Sequence, residues 1–526
     1  PAEAYGVASF YALFSMEPRP PRVLHVCVDL ACRMAGAGAL VEGLAPAGEA
    51  SVWEASPCLG LCERAPAALV VHYGSQRHEA VLAPATAGTL ATALDGGAGA
   101  APDEPGVGAA VPQVSDPALV LLRRVGVVDP TSLDDYRAHG GYGALRRAVA
   151  LGPSAVIREV TDSKLVGRGG AAFPAGRKWA AVAAQPVRPH LLVCNADESE
   201  PGTFKDRVLL EGDPFAVLEA MTIAGFVTGC ERGYVYLRGE YPRALRTLER
   251  AIAAAYDRGF LGPDVMGLGF GFDVEVRRGA GAYICGEETA IFNSIEGFRG
   301  EPRNKPPFPV EVGLFGLPTV VNNVETLVNV LPILERGAAA FAGVGTERST
   351  GTKLFAVSGS VRAPGVYEVP FGVTLAELLE LAGGLPPGRA LQGVLLGGAA
   401  GAFVAPDGLD VPLTFEGAAA AGATLGSGVV MVVDDSVDLA GFLLRIAAFF
   451  RDESCGQCVP CRVGTVRQEE ILERLAAGRP LVSVADELAL LADVGTVMRD
   501  ASICGLGQTA ASAIDSAIKH LEVFPA

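Results

Sequence analysis

The chain has 526 residues, half of them hydrophobic and 19% charged, which is too long for one hydrophobic core and predicts several globular domains. Its formal charge of −17 argues against nucleic-acid binding, whose footprint is a basic face, and against direct contact with an anionic membrane. The longest uncharged runs, 390–406 and 417–433, are broken by glycines, so there is no continuous span of the roughly 18–20 apolar residues that a membrane helix needs. The sequence opens on Pro1 without a Met or a signal peptide, and it is read as a trimmed fragment of a longer, cytoplasmic subunit.

In chain order, residues 1–20 read as the end of a helical segment stopped by prolines. "RVLHVCVD" at 22–29 and "AALVVHY" at 67–73 read as strands, giving a small α/β domain over 1–95. Residues 96–117, rich in Gly, Ala and Pro without periodicity, read as a linker. Over 118–345 helical patterns alternate with short strands, the mark of an α/β layer domain. Residues 346–435 read as a β-hairpin with a Pro-Gly turn, a short helix and a closing strand "GVVMVVDD", a compact β-grasp-like module. Beyond 436 the apolar positions fall at helical spacing (Leu439, Phe442, Leu443, Ile446), predicting a helical bundle over 436–526.

The chain has 11 cysteines, and eight fall into two sets: Cys27, Cys32, Cys58 and Cys62, then Cys455, Cys458, Cys461 and Cys504. Nothing suggests secretion, so clustered thiols point to metal rather than disulfides. "SCGQCVPC" at 454–461 followed by a distant Cys504 suits a cubane iron–sulfur cluster. Zinc, which more often pairs two knuckles, is the rival. The early set, C-x4-C then C-x3-C, could ligate a [2Fe–2S] cluster, with zinc again the alternative. Cys194, Cys230 and Cys285 are isolated and read as buried, inert thiols.

"GRGGAAFPAGRKW" at 167–179 nearly matches a dinucleotide fingerprint, but that fingerprint must follow a strand, and the preceding "PSAVIREVTDSKL" looks helical. What survives is a backbone free to lie against a flat or phosphorylated ligand, with Lys178 supplying charge. "CNADESEPGTFKDR" at 194–207 follows the strand "HLLV", and loops at the carboxyl ends of strands are where α/β proteins bind ligands. Asn195, Asp197, Glu198 and Glu200 there are acceptors for sugar hydroxyls and a carboxamide. "GAYICGEETA" at 281–290 repeats the theme with Tyr283, Glu287 and Glu288.

With "DYRAHGGYGALRRAV", "KPPFP", "VNNVET", "ESCGQCVPCR" and "ICGLG", these stretches resemble the flavin-bearing, NADH-oxidising subunit of complex I. The same subunit type serves NAD-reducing hydrogenases and NAD-dependent formate dehydrogenases as a diaphorase. Residues 1–95 resemble the thioredoxin-like [2Fe–2S] subunit that accompanies it, here fused in front.

The resemblance implies an α/β multidomain protein: a thioredoxin-like ferredoxin domain, a Rossmann-like FMN domain, a β-grasp-like module and a helical bundle carrying a [4Fe–4S] cluster. It implies FMN contacts at Gly167, Gly169, Gly170, Lys178, Asn195, Asp197, Glu198, Tyr283, Gly286, Glu287, Asn322 and Asn323, with Glu288 counted among the cofactor-binding residues. NAD(H) contacts are implied at Phe173, Lys178, Glu200, Lys305 and Phe308, with Glu200 positioning the nicotinamide. Ala181 stands where the family often has an aromatic, and Ala172 replaces a loop glycine. The fused N-terminal domain favours a soluble formate dehydrogenase or hydrogenase over complex I, with other subunits of a redox complex, a ferredoxin-like [2Fe–2S] subunit and a catalytic iron–sulfur subunit, as partners. The alternative from another class is an electron-relay scaffold without flavin.

Overall fold

A computed structural model describes residues 1–44, 50–74, 77–95 and 104–524. The first four strands are β1 (Arg22–Cys27), β2 (Ser51–Ser56), β3 (Ala68–His72) and β4 (His78–Leu82), in the order β2-β1-β3-β4. β1 runs parallel to β2 and antiparallel to β3, the expected thioredoxin-like arrangement. Period-two alternation puts Leu24, Val26, Ala68 and Val70 in one apolar cluster and Cys27, Leu69 and Val71 in another. The second cluster also holds Cys32, which comes from the short helix Leu30–Met34, so the end of β1 and the helix after it each deliver one thiol.

Of the stretch expected to be a linker, 96–103 lies outside the described residues, and the rest is not free. Val107, Ala110 and Val111 are buried around a single 3₁₀ turn. Gln113 exchanges two hydrogen bonds with the Glu368 backbone, at 3.2 and 2.8 Å. Three small apolar residues within one turn are enough to dock a segment without leaving any periodic pattern.

The central sheet is fully parallel, β5 (His190–Ala196), β6 (Cys230–Leu237), β7 (Asp273–Arg278) and β8 (Thr319–Asn323), ordered β7-β6-β5-β8. Both faces of such a sheet are covered by helices. In the helix Pro214–Thr228 every residue except Phe226 is buried. Its one carboxylate, Glu219, accepts from the Tyr136 hydroxyl and from the N–H groups of Tyr142 and Leu145 at 2.5, 2.7 and 2.9 Å, which makes the buried charge tolerable.

The third sheet joins β9 (Thr352–Gly359), β10 (Gly365–Pro370), β11 (Leu391–Leu396), β12 (Ala402–Val404) and β13 (Val429–Asp434) in the order β10-β9-β13-β11-β12. The helix Leu375–Leu381 packs on it through Leu375, Leu378 and Leu379. The C-terminal helices are Leu439–Glu453, Val459–Ala476, Val484–Ala501, Gly505–Thr509 and Ser512–Leu521. Among the described residues no helix is long and apolar enough to cross a membrane. One continuous core runs from the central sheet into this bundle and takes in Cys58, Cys62, Cys455 and Cys461.

Candidate functional site

The chain leaves β5 for β6 on one side and returns as β8 on the other, so the sheet's switch point lies between β5 and β8, where ligands bind beyond the strand ends. Asn195 pairs with Asn323 across that gap, and Cys194 with Asn322. The glycine loop covers the same end. A Val166–Pro174 bridge and a 2.9 Å bond from Gly167 N–H to the Phe173 carbonyl pinch its base. At Gly169 a Cβ would stand 3.0 Å from Asn323 Cβ, and Gly170 has φ +118°, so side chains are unwelcome at both. Ala172 adopts φ 51°, which costs a residue with a Cβ about 1–2 kcal/mol and accounts for a glycine preference there.

Arg168, which carries no signal in the sequence beyond its charge, turns away from this cradle. It is fully buried, donates to the Thr350 carbonyl at 2.6 Å and lies over Phe371, pinning the loop to the third module. Burial lowers it to about 10.

On the acidic loop, Asn195 donates to the Gly286 carbonyl at 2.8 Å. Asp197 is buried with its Oδ2 unpaired, and a Cβ on Gly286 would come within 3.3 Å of that oxygen. Burial holds the Asp197 carboxyl well above its usual range. Glu198 departs from its expected role. It sits at φ 28° and accepts from the N–H groups of Asp206 and Arg207, at 2.7 and 2.8 Å, and from the Tyr241 hydroxyl at 3.1 Å. Its carboxylate therefore starts the helix Lys205–Gly212 instead of facing the cradle. Burial pushes it up to about 7. Glu200 is buried and accepts from Ala400 N–H at 3.0 Å and from the Ser427 hydroxyl at 2.8 Å.

The other wall residues serve mainly one another. Asn322 accepts from Trp179 Nε1 at 2.8 Å, Asn323 donates to Asp206 at 2.6 Å, and Glu287 accepts from the N–H groups of Thr289 and Ala290 at 2.8 and 2.9 Å. At the rim, Glu288 joins Lys178 (3.2 Å) to Lys305 (2.8 Å), and Phe173 and Phe308 are 47% and 52% exposed. An orphaned carboxylate oxygen, glycines that leave no room for a Cβ, and exposed rings at the mouth together fit a flavin mononucleotide with a second aromatic ligand stacked on it.

Both cysteine sets converge. Cys58 Sγ lies 3.5 Å from Cys62 Sγ, and the neighbouring Cys32 and Cys58 thiols, with burial, hold the Cys27 thiol well above its usual range. In the bundle, Cys455 lies in a connection, Cys458 caps the helix Val459–Ala476, and Cys461 lies in its first turn. Burial pushes Cys461 up to about 12, and Cys458, Cys504 and Cys455 all press on it. Gly507 sits where a Cβ would be 2.8 Å from Cys461 Cβ, and the N–H groups of Leu506 and Gly507 face the Cys504 sulfur. A structural zinc would draw four ligands to about 2.3 Å from one point. Among the described residues no group of three or more His, Cys, Asp or Glu side chains is arranged to hold one metal ion.

Tyr283 connects the flavin side to the bundle: its N–H donates to Glu453 at 2.7 Å, and its ring packs against Phe449. Arg207 and Arg238, also silent in the sequence, connect the flavin side to the N-terminal thiols. Arg207 donates to the Gly60 carbonyl at 2.9 Å and Arg238 to the Cys58 carbonyl at 2.5 Å. Arg238 directly follows β6, so the rule that ligands gather at carboxyl strand ends could have pointed to it.

Family models match four segments: a thioredoxin-like [2Fe–2S] ferredoxin over 1–87, the Nuo51 FMN-binding domain over 160–332, an SLBB domain over 354–399, and the NADH-ubiquinone oxidoreductase-F iron–sulfur binding region over 441–523. An F-type NADH-quinone oxidoreductase subunit of Rhizobium meliloti is 46% identical over 403 residues, 76% of this chain and 95% of that protein. The chain belongs to the family of F-type NADH-quinone oxidoreductase subunits. A second relative, the NADP-reducing hydrogenase subunit HndC of Solidesulfovibrio fructosivorans, is 44% identical over 74% of this chain and 79% of its own length. Among solved structures, a chain of an NAD⁺-reducing [NiFe]-hydrogenase in the air-oxidized state superimposes with a TM-score of 0.83 at 34% identity, covering 99% of this chain and 87% of that one. The F-type architecture is thus extended at its N-terminus by the ferredoxin domain, and its cofactors are FMN, [4Fe–4S] and [2Fe–2S].

Proposed function

We propose that the chain is the diaphorase component of a multi-subunit redox enzyme, exchanging hydride between NAD(H) and FMN and relaying single electrons through its two iron–sulfur clusters. The observation that supports this most is the convergence of three sites on one loop. Residues 195–200 underlie the flavin cradle, the Glu198 carbonyl and Cys58 carbonyl share Arg238 at 2.7 and 2.5 Å, and Tyr283 links the cradle to Glu453, two residues before Cys455. Bound FMN supplies the conversion between two-electron hydride transfer and one-electron steps.

The chain's own residues bind, orient and exclude water. Gly167, Gly169 and Gly170 would let the backbone approach the flavin, Asn195 and Asp197 would offer it polar partners, and the exposed rings of Phe173 and Phe308 would stack on NAD(H). Lys305, held by Glu287 and Glu288 at 2.9 and 2.8 Å, is placed to meet the dinucleotide's negative charge. Glu200 orients the nicotinamide, and no general base is required. The eight clustered cysteines serve as cluster ligands. Cys458 and Cys504 are partly exposed among the exposed side chains of Val459, Val463 and Ile503, a face suited to a partner that takes electrons.

The fused ferredoxin domain supports a soluble, cytoplasmic NAD-reducing hydrogenase or formate dehydrogenase over complex I, which keeps the two on separate chains. Isolation of the chain with its native partners tests both levels. The diaphorase reading requires bound FMN and NADH-dependent dye reduction, and a flavin-free chain overturns it. Nickel in the co-purified partner identifies a hydrogenase and molybdenum a formate dehydrogenase. A quinone-reducing membrane complex overturns the soluble assignment.

A further inference from the structure

We propose that Arg238 is a positioning residue that fastens the N-terminal cluster loop to the flavin loop and holds that cluster's reduction potential up. The inference rests on reading Cys27, Cys32, Cys58 and Cys62 as the cluster's ligands. The guanidinium is 2% exposed. One amino group donates to the Cys58 carbonyl at 2.5 Å and to Glu240 at 3.0 Å, and the other donates to the Glu198 carbonyl at 2.7 Å. Its own backbone N–H is fixed to the Ala196 carbonyl at 3.2 Å, and its plane lies over the Tyr241 ring. A planar fork with several donors can hold two loops in fixed relation, which a lysine cannot do.

The charge matters as well as the geometry. Reduction adds negative charge to a cluster, and a buried cation beside a ligand stabilises that state strongly because little water screens it. The amino group that touches the Cys58 carbonyl also meets the counter-ion Glu240, and among the described contacts only the cation of this pair touches the thiol loop. The other charges facing this loop are internally balanced. Arg207 is shared by Glu63 and Glu211 at 2.6 and 3.2 Å, Arg64 lies 3.1 Å from Glu63, and Asp29, which accepts from the Cys58 N–H at 3.2 Å, faces Arg445 at 3.5 Å. Tyr241 and Gly60 meet so closely that any Cβ on Gly60 would overlap the phenol, so the loop cannot shift to compensate.

The test is a redox titration of the full-length, cluster-loaded protein followed by electron paramagnetic resonance. In Arg238→Met the [2Fe–2S] signal should titrate with an about tenfold less favourable reduction equilibrium, a midpoint about 59 mV more negative for one electron. Arg238→Lys should recover most of that shift. Glu240→Gln, which removes the counter-charge and leaves the fork, should move the midpoint the opposite way. An unmoved midpoint in Arg238→Met with the signal intact overturns the inference while leaving the ligand assignment standing. If Arg238→Met does not load the cluster, Glu240→Gln decides, and a fixed or lowered midpoint there overturns it. A wild-type chain without any [2Fe–2S] signal overturns the ligand reading and this inference with it.

Discussion

The carboxylate of Glu200 and the hydroxyl of Ser427 stand 2.8 Å apart across 227 residues of sequence, so the third module closes over the end of the flavin domain's acidic loop. Ala400 N–H donates to the other carboxylate oxygen at 3.0 Å. Two donors do not offset the loss of water, and burial pushes the Glu200 carboxyl up to about 7.

Glu200→Gln should keep FMN and lose most NADH-dependent dye reduction, since an amide cannot accept both wall bonds and still orient the nicotinamide. Unchanged kcat/KM for NADH would sink the assignment. The same residue predicts a pH effect on stability. Its native proton is held more tightly than in the unfolded chain, about 7 against 4.5. That stabilisation is complete below pH 4.5 and is lost as pH rises through 7. The difference is worth about 3 kcal/mol. Glu198 and Glu453, also near 7 through burial, remain in both proteins. The Tm of Glu200→Gln relative to wild type should therefore climb between pH 5 and 8, and parallel curves would refute the buried proton.

Gly398→Ala should damage the same closure from the other side. Gly398 has φ +86°, and a Cβ there would lie 2.5 Å from the Glu200 carboxyl carbon. The left-handed backbone alone costs about 1–2 kcal/mol, and relief of the clash must push Glu200 or the loop aside. Denaturant unfolding should show the loss, and KM for NADH should rise. Wild-type stability together with wild-type KM would show that the loops do not meet this way in solution.

Much of this architecture was legible in the sequence, because strands such as 22–27 and 190–196 alternate or run apolar and their carboxyl ends carry the polar motifs. The thiol sets were legible by spacing alone. What was hidden is contact between distant segments. "GVVMVVDD" predicts a strand, but nothing in it tells that Ser427, just before it, reaches Glu200. Glu198 looked like its neighbours in an acidic loop, yet its left-handed backbone turns it onto a helix start. Arg207 and Arg238 read as ordinary charges until the ferredoxin loop at Cys58–Gly60 is placed against them, and periodicity cannot report a docking between domains.

The enzyme should prefer NAD(H) to NADP(H). A 2′-phosphate needs a free cation, and the arginines nearest the acidic loop are committed: Arg207 to Glu63 and Glu211, Arg238 to Glu240. The structure adds Arg177, exposed and 5.8 Å from the Phe173 ring, where residual NADP(H) use would originate. Arg177→Ala should lower NADPH turnover further and leave NADH turnover nearly unchanged. Comparable kcat/KM for the two cofactors in the wild type would refute the preference, and it is a demanding comparison because a 44% identical relative is named as NADP-reducing.

Cys504→Ser isolates the second cluster from the flavin. Cys504 stands 43 residues after Cys461 in sequence, but the helices Val459–Ala476 and Val484–Ala501 form a hairpin that returns the chain. Gly507 then packs directly on Cys461, with space for no side chain. If Cys504 is the fourth ligand, a hydroxyl there should remove or convert the [4Fe–4S] cluster, because a cubane is held by four thiolates. The flavin cradle rests on β5, β8 and the glycine loop, not on this hairpin, so FMN should remain. Dye reduction directly from flavin should persist, while transfer to the physiological partner fails. Wild-type protein should carry about six irons, four and two in clusters of the kinds its cysteine sets fit. Loss of the cluster should also lower the Tm of the bundle, since ligand bonds formed only in the folded chain contribute to its stability. An intact cubane spectrum in Cys504→Ser would mean that another residue supplies the fourth bond, and zinc in place of iron would end the electron-transfer role of this bundle.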